Sequence, residues 1–586
     1  MSQNLGTRQS ASLQKSKTEI THCAWRCVPS RSAPMAKTFF ITTAIDYTNS
    51  APHIGHAYEK ILADVIARYH RLKAENVFFL TGVDQHGQKV QQSAEREGVP
   101  PEQFVAGVTE QFIALWDKLD VRYDAWAATT DPLHKKCVQG MLQRLFDEGK
   151  IYKDKQVGFY SVRQEQFLTD KDRNEAGEFG PEWGEVEQRE EENYYFKLSE
   201  HKQWLLDFID ARSKAGNPFV VPDFRVAELR NAVEKLAGDL CISRPKARLS
   251  WGIELPFDRD YVNYVWFDAL TNYISFIGYD STRSTISDQS STFRDKWPAL
   301  HVIGKDIMVP AHGIYWPIML HALGFPDDQM PTLLVHGWWN ISGAKMSKSL
   351  GNVVDPDVLI EKYGAEALRY YLMSDIVTGK DADFSEGRLI TRYNAELANA
   401  LGNLLNRTLN MANRYVGGQL SGPTHDVEIS RKNATDYSVV VKSGIVSGVG
   451  HLLVGRRVGL HADANRVENA TSGFLVNAAI EFIQNSITLL NGLIEQIAPW
   501  NLAKSDPSGA DIKDSIYYLA ESLRIIAILI SPVLPKAAHG IFDQLNWKME
   551  RSGKEERFHL DDAKWGGLPE GHVVGKPVPL FPRIER

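Results

Sequence analysis

The chain has 586 residues and a net charge of −7, and its length suggests about three to five domains at roughly 100–200 residues each. Hydrophobic residues make up 43% of the chain and charged residues 24%, which is typical of a globular protein with a large core. The mild charge argues against a polybasic binder, although local basic patches can still contact phosphates. No apolar run reaches about 18 residues, which argues against a membrane-spanning segment. Four cysteines in so long a chain indicate a reducing compartment, and we expect a cytoplasmic location.

The first 34 residues differ in composition from the rest of the chain. They are rich in serine and carry five basic residues against one acidic residue, Glu19. Three interpretations remain open for residues 1–34: a disordered extension, a targeting peptide, or translation from an upstream start codon, with the folded chain beginning at Met35. We favour a disordered or misassigned leader. Cys23 and Cys27 have the spacing of half a zinc site, but no second half follows, so we interpret them as a chance pair.

Strand-like and helix-like segments alternate after this leader. Phe39 to Ile45 predicts a buried strand, His56 opens a helix with apolar residues at 3.6-residue spacing, and Val77 to Val83 predicts a second strand. The same alternation predicts a strand, a helix and a strand at Leu300 to Ile303, His312 to Leu323 and Leu333 to His336. Alternating strands and helices imply a parallel sheet with helices on both faces, which is the Rossmann-type α/β fold.

The α/β pattern is interrupted once and then gives way to helices. We expect the Rossmann-type domain to be split by an inserted connective domain that contains the acidic run Glu185 to Glu192, and to be followed by a C-terminal α-helical bundle. Beyond about Ile390 the strands vanish from the pattern. The predicted bounds are 35–120 and 251–340 for the two Rossmann halves, 121–250 for the insertion, 341–390 for a loop and stem-contact region and 391–586 for the helical domain.

One stretch of the helical region, Ser430 to Ser472, does not fit a bundle helix. It contains several glycines among valines, and glycine costs about 1 kcal/mol relative to alanine inside a helix. A loop-rich variation and a disturbed reading frame both remain open for this stretch.

The sequence PHIGH spans Pro52 to His56, directly after the first predicted strand. His53 and His56 would share one side of a helix N-terminus, where unpaired N–H groups and the positive dipole end favour phosphate. Gly55 permits a ligand to approach the backbone closely. Such a site suits a nucleoside triphosphate, whose charge must be stabilised in the transition state. An isolated HxGH is more often two surface histidines, but its position in an α/β sheet favours the functional interpretation.

A second motif, KMSKS, spans Lys345 to Ser349 and lies between two glycines, which predicts a mobile loop. Lys345 and Lys348 would reach the phosphates after ATP has entered and would neutralise their charge during displacement. A solvated basic loop is the alternative, and the presence of PHIGH on the other side of the insertion argues against it. The two motifs together resemble the class I aminoacyl-tRNA synthetases.

Longer stretches resemble the methionyl-tRNA synthetase family in particular. The resemblance is dense from about Ala36 to Asp383 and is carried by Ala44 to His56, LTGVDQHG at Leu80 to Gly87, VWFDAL at Val265 to Leu270, IGKDI at Ile303 to Ile307 and LVHGWW at Leu334 to Trp339. It implies a ligase that converts L-methionine and ATP, with Mg²⁺, to methionyl-adenylate and pyrophosphate. The methionyl group then passes to the 3′ end of tRNA(Met), for initiation and elongation of translation, without a covalent enzyme intermediate.

The resemblance also implies roles for individual residues. Asp84 would pair with the substrate ammonium, and Ala44, Ile45 and Tyr47 would line the amino-acid site. The thioether pocket would be formed by Trp266, Ala269, Tyr273, His312 and Trp316, since aromatic walls suit a polarizable sulfur. The ATP site would comprise His53, Gly55, His56, Gly304, Lys305, Asp306 and Lys348, with His53, His56, Lys345 and Lys348 acting in catalysis. Without the resemblance, the aromatic residues would be interpreted as core and Asp84 as a helix cap.

In the helical region, LGNLLNR places Asn403 and Arg407 four residues apart on one helix face. This run resembles the family's anticodon-reading helix, and Trp500 in APWNLAK resembles the aromatic residue that stacks on an anticodon base. Stacking contributes about 1–3 kcal/mol per base. The alternative for Trp500 is a packing residue at a helix end after Pro499.

The chain departs from the family pattern at two places. Many relatives hold the knuckle of the insertion with zinc, but Ser161 and Gln164 stand at the first pair of ligand positions, and the second region contains Gly180 and Trp183. We therefore predict no structural zinc. The chain stops at PLFPRIER without an appended tRNA-binding barrel, so we predict a monomer. Another class I synthetase and a catalytically silent RNA-binding paralogue are the alternatives.

Overall fold

A parallel β-sheet forms the centre of the α/β part of the protein. Seven of the described strands belong to it: β1 (Phe39–Thr43), β2 (Asp46–Tyr47), β3 (Val77–Asp84), β4 (Ala125–Ala128), β5 (Val220–Val221), β6 (Ala299–Gly304) and β7 (Thr332–His336). Their order is β2–β3–β1–β6–β7–β5, with β4 also alongside β3, and each pairing is parallel. The structure, a computed structural model, describes residues 37–161, 166–168, 173–174, 176–341, 343–346, 353–422, 427–431, 437–441, 460, 463–505, 509–547 and 558–585.

The strands of this sheet are apolar because helices cover both of its faces. All six residues of β6 are buried, and four of the five residues of β7 are buried. A strand that is buried on both faces shows a continuous apolar run, and this run was the signal in the sequence. The predicted Rossmann-type α/β fold is therefore confirmed, with the strands at 77–83, 300–303 and 333–336 extended by a residue or two at their ends.

The first strand is shorter than the predicted Phe39 to Ile45. β1 ends at Thr43, and pairing with β3 resumes at Asp46. Thr42 pairs with Leu80 and Asp46 with Val83, so the first strand has one more residue than β3 over the same length. The extra residue makes a β-bulge at Ala44 and Ile45, which turns the backbone at the carboxyl end of the sheet.

The helix after the first strand, α1 (Ile54–Leu72), begins two residues earlier than the predicted start at His56. His53 is its N-cap, with extended backbone, and its side chain accepts the backbone N–H of Gly55. Histidine is not one of the usual capping residues, so the sequence pattern placed the start too late. Nearly all of α1 is buried, which identifies it as a central helix of the core.

The predicted helix from His312 to Leu323 differs from the structure in its first turn. Met308–Tyr315 is π-helical with a non-helical residue at Val309, and the α-helix runs only from Trp316 to Ala322. The ring Nδ1 of His312 donates to the carbonyl of Ile307 at 3.0 Å and so contacts a main-chain acceptor in this turn. A wide turn of this kind often lies at a functional site.

The segment after β4 forms a separate antiparallel sheet of four strands among the described residues: Ile151–Ser161, Gln166–Leu168, Val186–Phe196 and Leu240–Cys241. Two stretches within 121–250, β4 and β5, pair with the central sheet instead.

The helices of the α/β part include Gln88–Glu97, Pro101–Lys118, Pro132–Asp147, Lys202–Lys214, Val226–Glu234, Trp266–Ser275, Ser291–Lys296 and Pro356–Tyr363. Shorter strands lie at Ser243–Pro245, Glu254–Leu255, Asp258–Asn263, Trp339–Ile341, Ala344–Lys345 and Ala382–Asp383.

Helices dominate the C-terminal region, as predicted, but strands do not vanish after Ile390. Val427–Arg431 and Tyr437–Val441, at the start of the glycine-rich stretch and just before it, pair as an antiparallel hairpin, because both segments are rich in β-branched residues. Residues 463–472 are helical, and most of the stretch between Val441 and Asp463 lies outside the described residues.

No described helix has the length and apolar composition needed to cross a membrane. The other described helices of this region are Ala365–Asp375, Glu386–Arg392, Asn403–Tyr415, Val476–Ile497, Pro499–Ser505, Ala510–Ile530 and Pro535–Gln544, with π-helical Tyr393–Gly402.

A buried arginine joins α1 to the helical region. The guanidinium of Arg369 donates to Asp64 of α1 at 2.7 Å and to the carbonyls of Pro532 and Val533 at 2.9 and 3.0 Å. Arg369 and Asp64 are fully buried, and a buried charge pair requires this degree of hydrogen bonding. The helix α1, which His53 caps, is therefore held directly against the C-terminal helices.

Candidate active site

A cavity of about 340 Å³ opens at the carboxyl ends of β1, β2, β6 and β7. Ligands of open α/β sheets bind at this edge. Eight of the residues predicted from the sequence line the cavity: Ala44, Ile45, Tyr47, His53, Gly55, His56, Gly304 and Asp306. The lining also includes residues that the sequence analysis did not select: Asp46, Tyr58, Glu59, Ile307, His336, Gly337, Trp338, Trp339 and Met346.

His53 and His56 lie at the mouth of this cavity and fix each other. The backbone N–H of His53 donates to Nδ1 of His56 at 3.1 Å, and the backbone N–H of Gly55 donates to Nδ1 of His53 at 3.1 Å. The two rings stack with their centroids 3.9 Å apart. Since both Nδ1 atoms accept hydrogen bonds, each neutral ring carries its proton on Nε2. The pair therefore offers two ring N–H donors beside the helix N-terminus, which suits a phosphate.

Gly55 lies near the second sequence motif. A Cβ atom at Gly55 would lie 2.9 Å from Cε1 of His53 and 4.0 Å from Cε of Met346, so only glycine leaves the histidine in place. Met346, the second residue of KMSKS, lines the same cavity. The backbone of Lys345 pairs with Asn340 in a short antiparallel ladder, whereas Lys348 lies outside the described residues.

The end of β6 forms the opposite wall of the cavity. Gly304 pairs with His336 across the sheet, and a Cβ at Gly304 would lie 2.7 Å from Oδ1 of Asp306, so glycine gives this carboxylate its position. Lys305 does not line the cavity. Its ammonium lies 2.6 Å from Oδ2 of Asp381 and 3.9 Å from the ring centroid of Trp338, a lining residue. Lys305 thus contacts Trp338 from outside the cavity and supports this part of the wall.

Asp84, at the end of β3, is buried next to Tyr47 of β2 and does not line the cavity. Its Oδ1 accepts the backbone N–H of His86 and the hydroxyl of Thr129, each at 3.3 Å. No lysine, arginine or histidine among the described residues forms an ion pair with it. Burial, together with repulsion from Asp268, raises the pKa of Asp84 well above its ordinary value. A buried carboxylate without a cationic partner has the chemistry to receive a substrate ammonium.

Asp268 is the carboxylate that acts on Asp84, and it has partners of its own. His86 Nδ1 and His134 Nε2 lie 2.7 and 2.8 Å from its two oxygens. Burial acts in the opposite direction, but these two rings lower the pKa of Asp268 to about 2. Asp268 thus has two ring partners that Asp84 lacks among the described residues.

The predicted thioether residues form a closed aromatic cluster beside the cavity rather than part of its lining. The hydroxyl of Tyr273 donates to Nε2 of His312 at 2.7 Å, and the Tyr273 ring lies 5.7 Å from that of Trp316. Tyr273, His312 and Trp316 are almost fully buried, while Trp266, at the start of its helix, is partly exposed. Ala269 is buried one turn before Tyr273. The structure thus brings Tyr273, His312 and Trp316 together as predicted.

His301 of β6 completes this cluster and was not selected from the sequence. Its ring lies 4.1 Å from that of Tyr273, its Nε2 accepts from Trp316 Nε1 at 3.1 Å, and its Nδ1 donates to the hydroxyl of Thr42 at 2.7 Å. Burial lowers the pKa of His301 well below its ordinary value, and burial also lowers that of His312 to about 4. Both rings are therefore neutral at pH 7, with their tautomers set by these contacts. The sequence signal that could have identified His301 is a histidine in a strand whose other residues are apolar or glycine.

A buried ion cluster also lies at the cavity and was missed. Lys60 of α1 donates to Asp46 at 2.8 Å and to Glu59 at 3.0 Å, and the other oxygen of Glu59 lies 3.1 Å from Nε2 of His336. The signal that could have identified Lys60 is a lysine within a helix whose other residues are mostly buried.

The knuckle of the insertion has no cysteine or histidine at the positions compared with zinc ligands. The hydroxyl of Ser161 donates to the carbonyl of Trp183, and Gln164 lies outside the described residues. The guanidinium of Arg173 lies 4.2 Å from the ring centroid of Phe179 and 5.0 Å from that of Phe159. Across the described part of the chain, no group of three or more metal-ligating side chains is close enough to hold an ion.

The residues predicted for anticodon recognition lie on adjoining helices. Asn403 is exposed at the start of its helix, and Arg407, one turn later, donates to Glu495 at 2.6 Å. Trp500, at the start of the helix that follows Glu495, is 42% exposed. A tryptophan with this exposure is available for stacking rather than committed to a core.

Comparison with known proteins places this geometry in one family. The profile of the family described as tRNA synthetases class I (M) matches residues 39–176 and 183–409. The methionine–tRNA ligase of Lactococcus lactis is 37% identical over 560 residues, which cover 94% of this chain and 78% of that protein. The methionine–tRNA ligase of Thermosynechococcus vestitus is 36% identical over 558 residues, which cover 94% of this chain and 98% of that protein.

Solved structures agree with the sequence relatives. The Mycobacterium tuberculosis methionyl-tRNA synthetase in complex with methionyl-adenylate has a TM-score of 0.78 and 33% identity, over 93% of this chain and 100% of that chain. The free form of that enzyme has a TM-score of 0.75 and 31% identity, over 94% and 99% of the two chains. The chain therefore belongs to the methionine-specific family of class I tRNA synthetases.

Proposed function

We propose that the chain activates L-methionine with ATP to methionyl-adenylate and pyrophosphate, and then transfers the methionyl group to the 3′ end of tRNA(Met) for initiation and elongation of translation. It is a ligase of the class I synthetase type. The observation that carries this proposal is the meeting of His53, Gly55 and His56 with Met346 of KMSKS at one cavity.

In the first step, a carboxylate oxygen of methionine attacks the α-phosphorus of ATP, the bond to the bridging oxygen breaks, and pyrophosphate leaves. The Nε2–H groups of His53 and His56 donate to phosphate oxygens as charge moves to the leaving group. Lys345 and Lys348 of KMSKS add positive charge to stabilise the departing pyrophosphate, and Mg²⁺ accompanies ATP as part of the substrate. The acceleration comes from positioning and charge stabilisation rather than from a covalent intermediate.

The adenosine portion of ATP binds along Gly304 and Asp306. The carboxylate of Asp306 accepts hydrogen bonds from the ribose hydroxyls, and Lys305 keeps the Trp338 wall in place. Support comes from the close approach of Asp306 to the Gly304 backbone, which only glycine permits. The predicted domain bounds assign these residues to the second Rossmann half, 251–340.

Methionine binds between the bulge at Ala44 and Ile45 and the aromatic cluster. Asp84 receives the ammonium group, Tyr47 closes the site, and Trp266, Ala269, Tyr273, His312 and Trp316 surround the thioether. The neutral state of His312 suits an apolar side chain, because a charged ring would be costly to desolvate there.

In the second step, a hydroxyl of the terminal ribose of tRNA attacks the carbonyl carbon of the adenylate, and AMP leaves. Asn403, Arg407 and Trp500 recognise the anticodon, and the helical domain presents the tRNA to the α/β domain. We propose a cytoplasmic monomer without structural zinc in its insertion.

Two assays on one preparation test this function. Methionine-dependent exchange of pyrophosphate into ATP reports adenylate formation, and charging of tRNA(Met) with radiolabelled methionine reports the transfer. Both activities are expected. Binding of tRNA without adenylate formation would instead indicate a silent RNA-binding paralogue. Metal analysis of the same preparation tests the zinc prediction, which one zinc ion per chain would overturn.

A further inference from the structure

A single lysine behind the cavity contacts three of its wall oxygens. The ammonium of Lys60 lies 2.8 Å from Oδ1 of Asp46, 2.9 Å from the carbonyl oxygen of Ala44 and 3.0 Å from Oε1 of Glu59. Ala44, Asp46 and Glu59 line the cavity, whereas Lys60 does not and is fully buried. All three donor protons of the ammonium therefore have acceptors in the cavity wall.

The Ala44 carbonyl belongs to the bulge in the first strand. Pairing between β1 and β3 stops at Thr42 and Leu80, and it resumes at Asp46 and Val83, so Ala44 lies in the gap between the two ladders. The Ala44 carbonyl, which lies outside the β1–β3 ladder, accepts a hydrogen bond from Lys60 instead. Lys60 thus holds both the backbone of the bulge and the first side chain after it.

The charges of the cluster do not balance on Lys60 alone. One ammonium faces two carboxylates, and Glu59 has a second partner in His336. Burial, against the opposing effect of Lys60, raises the pKa of Asp46 to about 7, and Oδ2 of Asp46 has no hydrogen-bond partner among the described residues. Asp46 is therefore the weakly held member, and its position depends on Lys60.

Stability alone is a poor reason for this arrangement. A buried ion pair contributes little net stability compared with apolar residues of the same size, because desolvation offsets the Coulomb attraction. The contacts of Lys60 are instead concentrated on the cavity wall, at the bulge where the methionine site is proposed to begin.

We propose that Lys60 is a positioning residue for methionine activation, which acts through Asp46 and the Ala44 carbonyl to fix the bulge against which methionine binds. This inference rests on the proposed function. Lys60 does not contact substrate, and the sequence motifs do not include it.

Steady-state pyrophosphate exchange with five variants tests the inference: Lys60→Met, Lys60→Arg, Asp46→Asn, Lys60→Met with Asp46→Asn, and the control Lys89→Met. Lys89 is exposed on the next helix, so its loss removes a lysine charge without touching the cavity. Circular dichroism and thermal unfolding of each variant report folding.

We expect the KM for methionine to rise about 10- to 100-fold in Lys60→Met, with a smaller change in the KM for ATP, because misplacement of a binding surface by about 1 Å has effects of this size. Lys60→Arg keeps the charge and should recover part of the loss. The double variant should be no worse than Lys60→Met, since both residues act on one bulge. Lys89→Met should match the wild type.

A partly unfolded preparation lowers the apparent kcat but leaves the KM for methionine unchanged, so the KM separates positioning from folding. If Lys60→Met does not fold, Asp46→Asn decides, because it retains Lys60 and the shape of the side chain. An unchanged KM for methionine in Asp46→Asn and in every folded Lys60 variant would overturn the inference. Absence of methionine-dependent exchange in the wild type would overturn the proposed function instead.

Discussion

Nδ1 of His56 accepts the backbone N–H of His53 at 3.1 Å, and this contact holds the two rings stacked at the start of α1. The same contact is one half of a capping box, so the two histidines stabilise the start of α1 in addition to their proposed role in binding phosphate. Both rings are oriented before any ligand binds, which is the condition for electrostatic stabilisation without reorganisation during the reaction.

Replacement of His56 by alanine should slow pyrophosphate exchange about 100- to 1,000-fold, because one preorganised donor to the phosphates is lost. His559→Ala is the matched control. His559 also belongs to a capping box, as the N-cap residue of a short 3₁₀-helix, but it is exposed and far from the cavity in sequence. Equal activity losses in the two variants would indicate that His56 acts only through capping.

Replacement of Lys348 by alanine should lower the rate of adenylate formation about 100-fold or more while methionine binding stays close to the wild type. The reason is that the charge on this loop is needed when pyrophosphate leaves, not when the amino acid binds. Single-turnover adenylate formation and equilibrium methionine binding measure the two quantities. Equal losses in both would contradict a role confined to the transition state.

Asp84→Asn should weaken methionine binding about 30-fold or more, since a buried carboxylate that pairs with an ammonium contributes several kcal/mol when one partner is removed. The KM for ATP should change far less. The exposed Asp328→Asn provides the control. A methionine affinity that does not change in Asp84→Asn would exclude Asp84 as the ammonium partner.

His312 should make the protein less stable in mild acid. The pKa of its ring is lowered from 6.5 to about 4 by burial, so between these values the unfolded chain binds the proton and the native protein does not. The free energy of unfolding therefore rises with pH over this window and falls as the pH drops through it. Urea unfolding at several pH values should show a weaker dependence in His312→Asn than in the wild type. Parallel profiles would show that the ring is not held neutral.

Trp500→Ala should leave pyrophosphate exchange intact and lower kcat/KM for tRNA(Met) about 5- to 100-fold, the equivalent of one lost base stack. Leu489→Ala on the preceding helix removes an apolar side chain of similar exposure (40%, against 42% for Trp500) and should have little effect. Unchanged charging in Trp500→Ala would remove this residue from anticodon recognition.

The α/β core could be predicted because its signals are local. β6 and β7 are short apolar runs between turns, so the strands could be predicted, whereas the order of the strands in the sheet could not. The bulge at Ala44 could not be predicted in this way, since it exists only in relation to the register of β3. The predicted start of α1, at His56, was two residues too late, because the helix is capped by a histidine, which is not a usual capping residue.

The site was found where motifs mark it and missed where distant residues meet. His301 contacts Thr42, which is 259 residues away in the chain, and Lys60 contacts Asp46 across the turn that carries PHIGH. Neither contact leaves a periodic trace in the sequence, because each depends on the tertiary arrangement of α1 and the sheet. The same reason explains why Lys305, within a motif, supports the wall at Trp338 rather than lining the cavity.

The central claim is that this cavity forms methionyl-adenylate. Exchange of labelled pyrophosphate into ATP, measured on the purified full chain with methionine, isoleucine, leucine, valine and cysteine in separate reactions, tests it most directly. The account predicts exchange that depends on methionine and is far slower with the other four amino acids. Exchange supported by another amino acid but not by methionine, or no exchange with any of them, would contradict it.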